Sequence, residues 1–334
     1  MKLCTRCILP ETFPKIKFDE NGVCNYCLRE EKILADAPAQ KGKYLRKLDE
    51  LIDGLRGSGP VYDAIMAYSG GKDSSYTLKL LRERYNLRIL ALTFDNHFVS
   101  DAAWSNIKMV TDTLNVDLMT VRPPWSTMKS LFTVTAREDI FPAPTLIRAS
   151  SICTACIGMV KGLVLRTALE VSIPFAAFGW SPGQAPIQSA IMKTNPEMAR
   201  QNQKVWKTAI DGKVAADVSR YIVPEEYFTS YSNRFPYNIH PLAFFDYDEE
   251  KVKSELESIK WRSPLDTDSN SSNCLLNAYA NRCHLERQRF HPYVWEIANM
   301  VRQGVMQRRE GIEKIYADQD QKMVDYARTR LEIQ

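Results

Sequence analysis

The stretch Tyr62-Asp-Ala-Ile-Met-Ala-Tyr68, Ser69-Gly-Gly-Lys-Asp-Ser-Ser75, Tyr76-Thr-Leu-Lys-Leu-Leu81 decides how this chain is read. An apolar run too short for a helix comes first, then a glycine pair flanked by small hydroxyls, then residues at helical spacing: strand, tight loop, helix. Gly70 and Gly71 let the backbone bend so that its N–H groups converge. The following helix adds the positive end of its dipole, and Ser69, Ser74 and Ser75 supply hydroxyl donors. The guest such a loop predicts is a phosphate. The spacing is neither the Gly-x-x-x-x-Gly-Lys-Ser/Thr loop of common nucleotide hydrolases nor a Gly-x-Gly-x-x-Gly dinucleotide turn.

Downstream, strand and helix patterns alternate. Residues 87–94 read as a second strand and 101–114 as a helix capped by Ser100 or Asp101; 117–122 is a third strand, 125–137 a helix and 173–179 a further strand. The alternation predicts an α/β fold, a doubly wound parallel sheet, whose ligands bind at the carboxyl ends of the strands. That rule sets Phe94-Asp-Asn-His97 and Gly179-Trp-Ser-Pro-Gly-Gln184 beside the glycine loop. Residues 182–189 read as a loop or lid with Gln184 and Gln188 facing substrate. Beyond it, 239–245 is strand-like, and 247–261, 275–289, 292–303 and 309–331 read as helices closing one wall of the pocket. The expected division is a metal ribbon at 1–30, a helical linker at 31–59, a nucleotide domain at 60–185 and a mostly helical region at 186–334. The aromatic spacing of that last region predicts core or a homodimer interface.

The eight cysteines fall into three groups. Cys4-Thr-Arg-Cys7 and Cys24-Asn-Tyr-Cys27 have the C-x₂-C…C-x₂-C spacing of a tetrahedral Zn²⁺ site, around a turn-rich ribbon too small to fold without a staple. Four cysteine ligands leave no open position, so this zinc is expected to be structural. Cys153 and Cys156 open an apolar helix, where the dipole is expected to depress thiol pKa values and favour metal binding or nucleophilic attack. Cys274 follows a Ser/Asn-rich stretch, 266–273, with Cys283 further along the next helix. Cys153 and Cys156 alone are also compatible with a persulfide-carrying redox pair or with inert buried thiols.

Ser-Gly-Gly-Lys-Asp-Ser after a strand and before a helix resembles the PP-loop of the N-type ATP pyrophosphatases, or adenine nucleotide α-hydrolases. The resemblance implies that the loop holds the pyrophosphate end of ATP with Mg²⁺ while a substrate oxygen attacks the α-phosphate. Lys72 would then neutralise phosphate charge and Asp73 position Mg²⁺ or pyrophosphate. The backbone near Thr93 and Asp95 would contact base and ribose. Two cysteines from one segment plus Cys274 from a distant one resemble the three-cysteine set that holds a [4Fe–4S] cluster in the sulfur-transferring branch of that superfamily. The layout from Cys-Thr-Arg-Cys-Ile-Leu-Pro-Glu-Thr through Gly-Val-Cys-Asn-Tyr-Cys to the PP-loop also resembles the N-acetyl sugar amidotransferases, which take nitrogen from a glutaminase partner. Sulfur transfer uses thiols and ammonia transfer does not, which places thiolation first, amidotransfer second and a non-catalytic nucleotide-sensing adaptor third.

The remaining bounds are broad. The chain has 334 residues, 45% of them hydrophobic, enough for a sizeable core. A formal charge of +4 permits a polyanionic partner without demanding one, so the expected acceptor is a small molecule, a sugar or heterocyclic base, with tRNA as the other possibility. No run of eighteen apolar residues and no signal-peptide core are present, so no membrane partner and a cytoplasmic location are expected.

Overall fold

The computed structural model describes residues 1–333 apart from 36, 185, 216, 268–270 and 272, and backbone alone at 31–35, 37 and 38. Parts of the lid loop and of the Ser/Asn-rich stretch before Cys274 therefore lie outside the described residues.

After the cysteine ribbon come helices α1 (Asn25–Ala35) and α2 (Ala37–Leu55), then strand β1 (Ala64–Ala67) and helix α3 (Lys72–Lys79). Alternation continues through β2 (Ile89–Phe94), α4 (Asp101–Leu114), β3 (Asp117–Val121), α5 (Trp125–Arg137), α6 (Ala143–Leu146), α7 (Ser151–Val171) and β4 (Phe175–Phe178). The rest of the chain forms β5 (Ile191–Lys193), α8 (Pro196–Ile210), α9 (Tyr227–Ser230), β6 (Tyr237–Ile239), α10 (Glu249–Glu257), α11 (Asn277–Gln288), α12 (Val294–Arg302), α13 (Arg308–Tyr316) and α14 (Gln321–Leu331). The strands make one sheet in the order β3-β2-β1-β4-β6-β5, parallel throughout except for the last pair.

Alternate residues on each central strand enter different cores, which is why these strands read as continuous apolar runs. Ala64, Met66, Ile89, Ala91, Phe175 and Ala177 pack with α3 and α4 on one face. Ile65, Leu90, Leu92, Phe94, Ala176 and Phe178 pack with α5, α7 and α11 on the other. Ser100 caps α4 by accepting from the Ala103 N–H, as its position before the first apolar repeat predicts. Among the described residues α7 alone is long and apolar enough to cross a membrane, but half of it is buried against the sheet and α5.

Three expectations are corrected. The strand-like run 239–245 stops at Ile239, because Pro241 has no N–H to continue the ladder and starts a short 3₁₀ turn. The helix read over 309–331 is two, α13 and α14, with Ala317 in extended conformation between them. The antiparallel edge strand β5 and helix α8 were not anticipated: β5 has three residues, too few for a period to show, and gains its identity from pairing with β6.

Candidate active site

The glycine loop lies at the carboxyl edge of β1, where the strand order reverses between β1 and β4, the position at which open α/β sheets leave a crevice. Gly70 has φ +73°, and a Cβ there would stand 2.6 Å from the Ala103 carbonyl oxygen, so both backbone conformation and space require glycine. The Gly70 carbonyl accepts from Trp261 Nε1 at 2.9 Å. Ser74 Oγ donates to the Gly71 carbonyl at 2.9 Å and lies 3.1 Å from Ser69 Oγ, closing the loop on itself. Gly71 precedes α3 with no side chain to cap it, so the first N–H groups of that helix are offered to an anion.

A cavity of about 370 Å³ opens in front of the loop and is lined by Ser69, Gly71, Lys72, Asp73 and Ser74. Two loop residues turn away from it. Gly70 faces α4, and the fully buried Ser75 spends its hydroxyl on Tyr68 at 3.2 Å, so Ser75 supplies loop rigidity and not a donor to the cavity. Thr93 and Asp95 stand outside the lining as well. Thr93 Oγ1 donates to the Tyr68 carbonyl, tying β2 to the start of the loop, and Asp95 pairs with Arg122 and accepts from the His97 N–H. Gly179, at the end of β4, lies so close that a Cβ would approach Ser74 Cα to 2.5 Å.

The far wall comes from the C-terminal region, from its helices and the segments between them. Tyr247 donates to Asp73 Oδ1 at 2.6 Å, its phenol held well above the usual range by burial and by the Asp73 charge. Glu296, on α12, accepts from Ser181 Oγ and, at 3.0 Å, from Gln184 Nε2. Burial pushes this carboxyl up to about 7, against the two hydrogen bonds that favour its charged form. Gln188 contributes its carbonyl to Tyr44 and does not line the cavity.

Behind Ser271 and Asn273, which line the cavity, stand three half-buried cysteines. Cys153 and Cys156 lie in the first turns of α7, where Ser150 Oγ accepts from the Cys153 N–H at 3.1 Å. Cys274 reaches them because 98–100, just past β2, pairs with 273–275: Ser100 N–H donates to the Asn273 carbonyl and Leu275 N–H to that of Phe98. Asn96 Nδ2 sits 3.7 Å from both Cys156 Sγ and Cys274 Sγ. The expected lowering of the Cys153 and Cys156 pKa values is overturned. Desolvation outweighs the helix dipole, pushing Cys153 up to about 11 and Cys156 higher, with the Cys274 charge adding to both. Cys283 faces Tyr279 elsewhere in the core.

The ribbon cysteines are arranged differently. All four are buried with their Sγ atoms within 4.8 Å of one another; Cys4–Cys27 and Cys7–Cys24 are 3.8 Å apart. Thiolates about 2.3 Å from one tetrahedral ion stand about 3.8 Å apart, so the spacing fits a single Zn²⁺-sized ion. The N–H groups of Cys7 and Cys24 point at Cys4 Sγ, and that of Cys27 at Cys24 Sγ, as tight knuckles do. Among the described residues no other group of three Cys, His, Asp or Glu converges this closely. Cys153, Cys156 and Cys274 do not form such a group; Asn96 stands between two of them.

Sequence reasoning missed Glu296 and the bridging role of Asn96. Asn96 lay within the strand-end stretch quoted above, but only folding sets it between two thiols. Glu296 sits in an ordinary amphipathic helix with no local signal.

No protein-family model matches this chain. It is 22% identical to an uncharacterized protein of Methanocaldococcus jannaschii, MJ1599, over 93% of this chain and 92% of that protein. Among solved structures it is similar to the U34-tRNA thiolase NcsA from Methanococcus maripaludis with its [4Fe–4S] cluster, at 17% identity and a TM-score of 0.38, covering 99% of this chain and 89% of that one.

Proposed function

We propose that this protein is an AMP-forming, ATP-dependent sulfurtransferase. The observation that supports it is that one cavity has the Ser-Gly-Gly-Lys-Asp-Ser loop at one end and, behind its lining residues Ser271 and Asn273, Cys153, Cys156 and Cys274. The pyrophosphate end of ATP lies on the first N–H groups of α3, with Ser69, Ser74 and Lys72 around it and Asp73 holding Mg²⁺. A carbonyl or amide oxygen of the acceptor, a small molecule or a tRNA base, attacks the α-phosphorus, and the bond to pyrophosphate breaks. Adenylation turns that oxygen into part of a good leaving group, and the cavity holds both reactants in line. AMP is then displaced by sulfur arriving from the cysteine side. Cys153, Cys156 and Cys274 would hold a [4Fe–4S] cluster, which when bound offers an iron open to a sulfur donor. Cys4, Cys7, Cys24 and Cys27 would hold Zn²⁺ as a structural ion.

Placement of the three cysteines beside the activating loop favours sulfur over nitrogen as the incoming atom, since ammonia needs no thiols. Anaerobic purification with iron, sulfide and zinc analysis tests the reading, together with pyrophosphate release from labelled ATP. The expected protein holds zinc plus iron and sulfide, and Cys153→Ala loses the iron while keeping the zinc. A colourless protein that contains zinc alone and forms an amide or amidine with ammonia overturns it.

A further inference from the structure

Glu249, the first residue of α10, is surrounded by three ammonium groups on the cavity wall. Its Oε2 is 2.9 Å from Lys72 Nζ and 3.0 Å from Lys314 Nζ, and its Oε1 is 3.3 Å from Lys253 Nζ. The lysines come from three elements: Lys72 opens α3 beside the glycine loop, Lys253 lies one turn along α10, and Lys314 is near the end of α13. Other charges face the group too. Asp73 lies 3.9 Å from Lys72, Tyr247 covers Lys72 with its ring, and the exposed Glu250 holds the other side of Lys253 at 2.8 Å.

Three cations converging on one two-oxygen anion, at the mouth of a loop built for phosphate, make the environment that a polyphosphate tail requires. Lysine side chains lose considerable rotamer freedom when fixed, and an internal carboxylate that already holds them in place removes that loss from the binding step. Glu249, Asp73 and Glu250 each bring one charge to these lysines, whereas the tail of ATP brings several on one molecule. A tail entering the cavity would therefore compete with Glu249 for its lysines. From this geometry we infer that Lys253 and Lys314 are ligands of the β- and γ-phosphates, supplied by the C-terminal helices, and that Glu249 is the internal anion holding their places. The inference rests on reading the loop as a nucleotide site, and it assigns recognition of the tail to residues far from that loop in sequence.

Calorimetric titration of the full chain with Mg²⁺·ATP, inorganic pyrophosphate and AMP tests it. Lys253→Met with Lys314→Met is expected to weaken ATP and pyrophosphate binding at least tenfold while leaving AMP binding within about twofold. Glu249→Gln, which removes the competing anion, is expected to tighten pyrophosphate binding. Lys253→Met alone, at the more exposed lysine, serves if the double variant does not fold, with an expected loss of threefold or more. Lysine variants that fold and bind pyrophosphate as the wild type does overturn the inference and leave the nucleotide reading standing. Wild-type protein that binds neither ATP nor pyrophosphate overturns both.

Discussion

The two cysteine clusters are made of the same side chain and teach opposite lessons. The ribbon set is closed: four buried sulfurs surround one point, their knuckle N–H groups turned on the sulfurs. Ribbon and body are nonetheless joined, because Arg308 donates to the carbonyls of Cys4 and Cys7 and Tyr316 to that of Ile8. Both residues lie on α13, the helix that also carries Lys314 to the cavity wall. The core set is open: three half-buried sulfurs near a cavity, two on α7 and one beside the segment that follows β2. On the proposed reading a metal in the first place would be structural, and one in the second would take part in the chemistry.

That contrast breaks most visibly if the ribbon is attacked. Cys24→Ser is expected to remove zinc and cost more than about 4 kcal/mol, the scale of a lost metal, read as a large fall in the thermal midpoint, with iron retained in whatever fraction stays folded. An unchanged midpoint would show that the ribbon folds on its packing against α12 and α13. Next in size, Gly179→Ala drives a methyl group into the backbone of Ser74, 2.5 Å away, and should cost about 1–3 kcal/mol while weakening ATP binding, as followed by denaturant melts and titration.

Smaller still is the effect of Glu296, the half-buried carboxyl on the cavity side of the comparison. Its folded pKa, about 7, lies above the unfolded 4.5, so the folded state holds the extra proton. The associated stability is fully present below about pH 4.5 and is lost as pH rises through 7. Glu296→Gln should therefore raise the thermal midpoint at pH 8 and leave it nearly unchanged at pH 5; equal shifts at both would contradict the assignment. Last comes Cys156→Ser, expected to change stability by about 1 kcal/mol or less while abolishing iron, measured by anaerobic metal analysis alongside a melt. If it unfolds the protein as Cys24→Ser does, the two clusters are not different in kind.

Much of this molecule was legible locally. The ribbon cysteines announced themselves because a tetrahedral ion needs two short-range pairs, and the glycine loop because a bend between strand and helix needs residues without Cβ. The central strands were readable because burial on both faces leaves continuous apolar runs, and α5 was placed to the residue by the apolar spacing between Trp125 and Arg137. The cavity's far wall was not legible: Tyr247 lies in the irregular segment before α10, and Glu249 and Glu296 sit in helices whose pattern records a buried face and says nothing of what it faces. Nor was the balance of forces on Cys153 readable. A helix N-terminus can be recognised in the chain, but the desolvation that defeats its dipole arises from side chains distant in sequence.

The amino-acid sequence by itself determined the α/β class, the glycine loop after β1 and the closed four-thiol ribbon, since each depends on contacts among residues close along the chain. Only the tertiary structure decided that Cys274 stands with Cys156 across Asn96, that Ser75 and Thr93 turn away from the cavity, and that three lysines gather on Glu249. Most of those contacts join segments separated by dozens to hundreds of residues, and no local period records which distant side chain will fill the space opposite.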